Sequence, residues 1–228
     1  MALRRARPLF VFVLATTIAA LALSARLRSQ STPASSSAKH KKNPAPNPRF
    51  DPGSVSDHTY RNKTLGFSCK IPEGWVLRTE EMNAPDSDKA TDSSAENAAS
   101  SAAASVLLAA FSRPPAAKGE DVNSSILIAA ESVSAYPGLK DAVQYFGPLT
   151  EVAKAQGFTA AAEPYEIAIG TRALVRADFH KDVGRRVMWQ STLAMLAHGY
   201  AVSITLIGGT EDEVENLMES LSFSTNGK

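Results

Sequence analysis

The sequence predicts an α+β protein in which a central antiparallel sheet carries helices on both faces. Four successive apolar segments of strand length, separated by short turns, predict an antiparallel meander: Tyr165–Ile169, Ala173–Phe179, Val187–Leu196 and Ala201–Ile207. The last two segments are apolar at both alternating sets of positions, so they should be central strands that are covered on both sides. Helices must then lie on each face of the sheet.

Two segments have the periodicity of amphipathic helices. Between Gly138 and Gly157, apolar residues recur at spacings of three and four: Leu139, Val143, Phe146, Leu149, Val152 and Ala153. Gly147-Pro148 interrupts this stripe, which predicts either a kinked helix or two short ones. Near the end of the chain, Thr210 precedes acidic residues and predicts the N-cap of a final helix, whose apolar stripe is Val214, Leu217, Met218 and Leu221.

Shorter strands are predicted before the long helix. Phe67–Ile71 alternates apolar and polar residues and runs into a Pro-Glu-Gly-Trp corner, whose Trp75 can fill a core. Val106–Phe111 and Ile126–Val133 predict a hairpin with a long loop. Between these parts, residues 83–105 are rich in Ala, Ser, Asp and Asn and contain no aromatic residue, which predicts a low-complexity insertion.

The N-terminal residues predict export from the cytoplasm. Arg4, Arg5 and Arg7 precede an uncharged apolar run over residues 9–25, the order of a signal peptide or an N-terminal membrane anchor within residues 1–25. The length of the run leaves cleavage and retention both open. Residues 26–57 are rich in Pro, Ser and Lys and predict a disordered linker. The expected location is extracytoplasmic, either periplasmic or secreted, with anchoring to the cytoplasmic membrane if residues 9–25 are retained.

Composition excludes several classes of function. The 228 residues carry a formal net charge of +1, and Lys and Arg are scattered among Asp and Glu, so no nucleic-acid partner is expected. Cys69 is the only cysteine, so no internal disulfide forms. Because Cys69 alternates with Phe67 and Ile71, it is expected to be a buried structural thiol.

The residues that carry chemistry do not form a recognisable catalytic or metal-binding motif. His40, His58, His180 and His198 lack the spacing of metal ligands, so neither a metal nor another cofactor is predicted. Asp178 and His180 lie two positions apart on one strand and therefore on one face, where a nearby serine could complete a triad. No Gly-x-Ser-x-Gly motif accompanies them. A serine or threonine hydroxyl within hydrogen-bond reach of His180 would favour this alternative.

The segment Tyr60–Trp75, with Leu-Gly-Phe-Ser followed by Ile-Pro-Glu-Gly-Trp, resembles the first strands of the PsbP-like superfamily, which includes PsbP and DcrB-like bacterial envelope proteins. The later order of helix, Gly170 turn, strands and final helix is also similar, and the resemblance spans residues 58–224. It implies an α/β/α sandwich around an antiparallel sheet. Its motifs are packing motifs, so it implies no functional residue.

These observations predict an exported, non-catalytic accessory or binding protein of the cell envelope. It would act by protein–protein contact, presenting a sheet edge or a loop face to an envelope partner. Two alternatives remain open at this stage. One is an envelope hydrolase that uses His180 and Asp178, and the other is a small-ligand carrier, which requires an apolar pocket between the sheet and the long helix.

Overall fold

The computed structural model describes residues 51–84, 104–114 and 122–224. The predicted export segment at residues 1–25, the linker up to residue 50 and residues 85–103 of the predicted insertion lie outside the described residues. Of the helices within the three described ranges, none has the length and apolar character needed to cross a membrane.

All strand pairs are antiparallel, and together with the helices they give the α+β class that the sequence predicts. The strands are β1 Ser54–Ser56, β2 Thr59–Asn62, β3 Phe67–Lys70, β4 Val76–Leu77, β5 Ala104–Phe111, β6 Ser125–Ser132, β7 Thr159–Ala160, β8 Tyr165–Ile169, β9 Arg172–Val183, β10 Arg186–Ala197, β11 Tyr200–Gly208 and β12 Leu221–Phe223. A large sheet has the order β4-β5-β6-β11-β10-β9-β7, with β8 also paired to β9.

The described helices are α1 Thr79–Asn83, α2 Ala142–Ala155 and α3 Glu211–Glu219, and a 3-10 turn spans Val133–Ala135. Helix α2 continues through Pro148, so the two short helices allowed by the sequence do not form. The side chain of Thr210 accepts a hydrogen bond from the Glu213 backbone N–H at 3.1 Å, which confirms the predicted N-cap of α3.

The predicted meander is confirmed, but its strands are longer than the apolar segments. Strand β9 extends to Val183 and pairs with β10 in continuous register across a turn that contains Gly184. His198 and Gly199 both have positive φ, the backbone form of the tight hairpin that joins β10 to β11. Backbone pairing, rather than apolar side chains, therefore determines where these strands end.

A second sheet was not predicted. It contains four strands in the order β1-β2-β3-β12, so the last strand of the described chain pairs with β3. This small sheet starts at Ser54, inside the segment that the sequence assigns to the linker. Cys69 on β3 is fully buried, and burial raises the pKa of its thiol to about 11, which agrees with the predicted structural role. Trp75 is partly buried and packs against the same core.

Two hydrophobic cores use alternate residues of the same strands. The first core includes Leu174 on β9 and Leu193 on β10, whereas the second includes their neighbours Val175 and Ala194. Successive side chains of a strand point to opposite faces, so the two cores lie on opposite sides of the large sheet. The first core also contains the small sheet and the apolar stripe of α3, and the second contains Tyr145, Phe146 and Ala153 of α2.

Candidate functional site

A cavity of about 180 Å³ lies where the first turns of α3 approach strands β9 and β10. We call it the sheet–helix cleft. Its walls combine charged, aromatic and hydroxyl side chains from three separate elements, and the lining includes Arg176, Asp178, Trp189, Ser191, Glu211 and Glu215. Convergence of polar groups on a concave surface is the usual mark of a binding or active site, so this cleft is the candidate functional site.

The strand register explains why these residues meet. Arg176 lies opposite Tyr165 of β8, and Asp178 lies opposite Ser191 of β10. Residues at even positions of β9 share the face that carries the first core, because Leu174 belongs to that core. The polar residues continue that face beyond its apolar part, so the sheet itself forms the floor of the cleft.

Arg176 is the central charge of the cleft. Its side chain is only 14% exposed, and its guanidinium donates from Nε to Asp178 Oδ1 at 2.8 Å and from Nη2 to Glu215 Oε1 at 2.5 Å. Desolvation by burial lowers the pKa of Arg176, but the hydrogen bonds to Glu215 and Asp178 outweigh it, so the net shift of this pKa is upward. The guanidinium therefore stays charged and is held by two carboxylates.

Both carboxylate oxygens of Asp178 are occupied. Oδ1 accepts from Arg176 and from the Ser191 hydroxyl, and Oδ2 accepts from the Tyr165 hydroxyl at 2.8 Å. Three donors from three different strands, β8, β9 and β10, thus converge on one side chain. This arrangement fixes the positions of the surrounding side chains, so Asp178 orders the cleft from within.

Tyr165 lies at the margin of the cleft, beside Asp178. It is 42% exposed, and the Arg176 guanidinium carbon lies 5.9 Å from its ring centroid. Desolvation, followed by the hydrogen bond to Asp178, raises the pKa of Tyr165 to about 12. At neutral pH the hydroxyl is therefore protonated and acts as a donor, and part of the residue remains accessible to solvent.

His180 does not participate in the Asp178 network. Its ring packs against Trp189 of β10, with ring centroids 5.7 Å apart. Within the described ranges the His180 side chain forms no hydrogen bond, and the hydroxyl of Ser191, which lies opposite Asp178, donates to Asp178. Asp178 and His180 therefore lie on one face of the sheet, as the sequence predicts. However, the described residues do not form a serine–histidine–aspartate chain of hydrogen bonds.

The histidines and carboxylates also do not cluster in metal-binding fashion. In the part of the chain that the structure describes, no group of three or more His, Cys, Asp or Glu side chains could hold a metal ion. His58 and His198 have positive φ, lie in two separate turns and are far apart in the sequence. His40 lies outside the described residues.

The small-ligand alternative directs attention to the space between the large sheet and α2. That space contains the second core, in which Tyr145, Phe146, Phe158 and Phe179 are all at least nine-tenths buried. A surface groove of about 390 Å³ lies beside the start of α2, outside this core, and is lined by Tyr136, Pro137, Leu139 and Pro148 among others. Tyr136 donates its hydroxyl to Glu131, which fixes one wall of the groove.

Sequence reasoning identified Asp178 and His180 but missed Arg176, Tyr165, Ser191 and Trp189. One signal was available, because Arg176 interrupts an otherwise apolar strand between Val175 and Ala177. A charged residue in such a position is seldom tolerated without partners. The identity of those partners depends on strand register, which the sequence does not reveal.

Comparisons with known proteins concern the fold. No family model matches the chain, and no curated protein matches it significantly. Similar solved structures include the cyanobacterial PsbP, CyanoP, from Synechocystis, which is 12% identical over 75% of this chain and 98% of that chain, with a TM-score of 0.42. LpqN of Mycobacterium tuberculosis, described as involved in cell envelope biogenesis, is 13% identical over 78% of this chain and 88% of that chain, with a TM-score of 0.35. A PsbP is thus among the structural neighbours, as the sequence resemblance predicts. At these identities and TM-scores, no function and no residue role is transferred from these proteins to this chain.

Proposed function

We propose that this chain is an exported, non-catalytic accessory or binding protein of the cell envelope, and that it contacts a protein partner through the sheet–helix cleft. The observation that carries the proposal is that the partly exposed aromatic rings of Tyr165 and Trp189 lie beside Arg176 and Asp178, which hold each other in place. Trp, Tyr and Arg are the residue types that most often dominate binding energy at protein interfaces. Here they stand together on rigid strands.

Rigidity supports the binding role. Tyr165 is held by its hydrogen bond to Asp178, and Arg176 by its two carboxylates. A partner that docks on these side chains loses little affinity to their immobilisation, because they are ordered before binding. The contact would use a sheet face and the adjoining helix turn, rather than the sheet edge or loop face that the sequence suggests.

The hydrolase alternative receives less support from the geometry. A serine hydrolase needs a hydroxyl that donates to a histidine, which in turn donates to a carboxylate. In the cleft the hydroxyl of Ser191 and both oxygens of Asp178 are engaged with each other and with Arg176 and Tyr165. The carrier alternative would have to use the groove beside α2, since aromatic side chains fill the space beneath that helix.

The proposed compartment rests on the N-terminal sequence. Three arginines followed by an uncharged apolar run over residues 9–25 direct export, so the globular part would face the outside of the cytoplasmic membrane. Protease treatment of cells with a permeabilised outer surface should digest the globular part while leaving cytoplasmic markers intact. Full protection of the chain together with those markers would contradict export.

We also infer an α/β/α sandwich as the layered arrangement of the fold. The two cores occupy alternate residues of β9 and β10, and α2 and α3 contribute to different cores. Phe146→Ala in α2 and Leu217→Ala in α3 should therefore lower the free energy of unfolding additively in the double variant, because these two residues lie in separate cores. Strong non-additivity in a double-mutant cycle would argue against two separate cores.

Site-specific photo-crosslinking tests the binding role. The full chain, expressed in its own host, would carry benzoylphenylalanine at Tyr165, at the margin of the cleft, or at Val55 on β1. These two positions are 42% and 40% exposed, so random collisions should label them equally. We expect a discrete crosslinked protein from the Tyr165 position alone, and we expect Trp189→Leu in the same chain to weaken that adduct.

Identical adducts from both positions, or none from either, would overturn the proposal. Circular dichroism of each variant should show an unchanged fold, so that a lost adduct reports a lost contact. An adduct from the Val55 position alone would place the partner on the small sheet and remove the cleft from the proposed function.

A further inference from the structure

The charges of the sheet–helix cleft are unbalanced. Three carboxylates, Asp178, Glu211 and Glu215, face one guanidinium, that of Arg176. Arg176 already donates to two of these carboxylates. The cleft therefore has an excess of negative charge, which repels phosphate or carboxylate ligands even though an arginine lies at its centre.

Two of the carboxylates keep free acceptor capacity. Glu215 is 52% exposed and uses only Oε1 toward Arg176. Glu211 lies exposed in the first turn of α3 and, among the described residues, has no hydrogen bond or ion pair. Asp178, by contrast, has both oxygens occupied. Unused negative charge is thus concentrated on the helix side of the cleft.

Part of the cleft is apolar and aromatic. Trp189 lines the cavity from β10 and Val214 lines it from α3, while the Tyr165 ring stands at the margin, where its hydroxyl donates to Asp178. Aromatic faces attract cations, and they also pack against the methylene stem of a long side chain. Apolar and aromatic side chains beside carboxylates with free acceptor oxygens are complementary to a group that has an apolar stem and a cationic end.

The size of the cavity limits the ligand. At about 180 Å³ it is smaller than the 300–1,000 Å³ typical of pockets for drug-sized molecules. It has room for one side chain rather than for a cofactor. Lysine and arginine are the side chains that combine a long apolar stem with a cationic end.

We propose that the sheet–helix cleft binds a lysine or arginine side chain presented by a peptide segment of the partner protein. This inference rests on the proposed binding function and gives the partner a chemical character. The stem would lie against Trp189, and the cationic end would donate to Glu211 and to the free oxygen of Glu215. Since the interaction is partly electrostatic and exposed, it should weaken as ionic strength rises.

The experiment is a titration of the full chain, in nonionic detergent, with the capped peptide acetyl-Gly-Ser-Lys-Ser-Gly-amide. The readout is tryptophan fluorescence, to which only Trp189 and Trp75 contribute. We expect a saturable change with the lysine peptide and none with the matched norleucine and glutamate peptides. Trp189→Leu, which retains Trp75 in the core, should show no response.

Glu211→Gln and Asp212→Asn form a matched pair. Both residues are exposed in the first turn of α3, so both changes alter the helix dipole interaction equally, but only Glu211 lines the cleft. We expect Glu211→Gln to weaken the binding of the lysine peptide about fivefold, which is the effect of losing one close charge in a water-like environment. Asp212→Asn should change the affinity less than about twofold, because it lies outside contact range and is screened.

An equal response to the norleucine peptide, or equal effects of the two substitutions, would overturn the lysine-binding inference. The proposed function fails separately. If the Tyr165 crosslink persists and the lysine peptide does not bind, the binding role stands and the cationic ligand is wrong. If the lysine peptide binds while the Tyr165 position yields no adduct, the cleft is a cation site and the proposed partner contact is wrong.

Discussion

Removal of the Asp178 carboxylate should destabilise the protein more than removal of any exposed charge on the same strand. Asp178 receives donors from Arg176, Ser191 and Tyr165, and its side chain is 24% exposed. Asp178→Ala deletes all three acceptor interactions at once. It leaves Arg176, which is largely buried, with only the partly exposed Glu215 as an ionic partner.

The magnitude follows from the kinds of bonds that are lost. A hydrogen bond between charged groups contributes about 1.5–3 kcal/mol, and each hydroxyl donor adds about 1 kcal/mol. Because the site is partly open, water can satisfy the donors nearest the surface and reduce the total. We therefore expect Asp178→Ala to lower the free energy of unfolding by about 3 kcal/mol. Asp178→Asn keeps an oxygen acceptor, so its cost should be about 1 kcal/mol.

Urea unfolding of the full chain, followed by circular dichroism, measures this effect. With an m-value of about 2 kcal/mol/M, the midpoint should fall by about 1.5 M for Asp178→Ala. Asp182→Ala is the matched control, because Asp182 is exposed on the same strand. Its cost should stay within about 0.5 kcal/mol. Equal midpoints for Asp178→Ala and Asp182→Ala would refute the view that Asp178 organises the cleft.

Two further predictions concern the small sheet. Asn62→Ala should lower the free energy of unfolding by about 2–3 kcal/mol. The buried amide of Asn62 donates to the Asp51 carbonyl at 2.8 Å and to the Tyr60 hydroxyl, and it accepts from the Leu65 N–H at 2.8 Å. Urea unfolding beside the exposed control Asn216→Ala checks this prediction, and equal midpoints for the two variants would contradict it. Burial raises the pKa of Cys69 from 9.0 to about 11, which means that the fold favours the protonated thiol, and its stabilisation is complete below pH 9 and lost as pH rises to 11. Between pH 9 and 11, the free energy of unfolding of the natural chain should therefore fall by about 2–3 kcal/mol more than that of Cys69→Ala. If the two free energies change in parallel over that range, the thiol is not the group that titrates.

Much of the fold could be predicted because its signals are local. The α3 cap depends on Thr210 and Glu213, three residues apart, and the hairpin at His198-Gly199 depends on two adjacent residues. Local spacing is visible in a sequence, and these elements form where it predicts them. Strand β9 was predicted too short because the residues after Phe179, His180-Lys181-Asp182, are polar and look like the end of a strand, although its backbone pairing continues to Val183.

The small sheet could not be predicted, because its closing strand comes from far along the chain. Ser68 of β3 and Ser222 of β12 share a hydrogen bond of 2.8 Å across a sequence separation of 154 residues. Three residues, Leu221–Phe223, are too few to show a period, and the sequence pattern assigned Leu221 to the helix stripe. Such pairings follow from tertiary packing rather than from the properties of the segment itself.

The candidate site could be predicted only in part for the same reason. Alternation placed Asp178 and His180 on one face, which the structure confirms through their partners Ser191 and Trp189 on β10. However, alternation does not reveal the neighbouring strand's register, and a shift of one residue would have replaced Ser191 and Trp189 with residues from the other face. Asp178 and His180 therefore fit a catalytic hypothesis in the sequence, whereas in the fold Asp178 belongs to a hydrogen-bonded network and His180 packs against Trp189.

The lengths of the elements explain why this site lies where it does. Strands β9 and β10 have 12 residues each and span about 40 Å, whereas the nine residues of α3 span only about 13 Å. A helix this short covers only part of the hairpin, and the first core lies beneath α3 and the small sheet. At the edge of this cover, where Glu211 and Glu215 of α3 still reach the strands, the same face carries polar and aromatic side chains: Tyr165, Arg176, Asp178, His180 and Trp189. The difference in length between the two strands and α3 thus leaves a partly open surface that is built from strands and a helix turn rather than from a loop, which is the property that the proposed binding site requires.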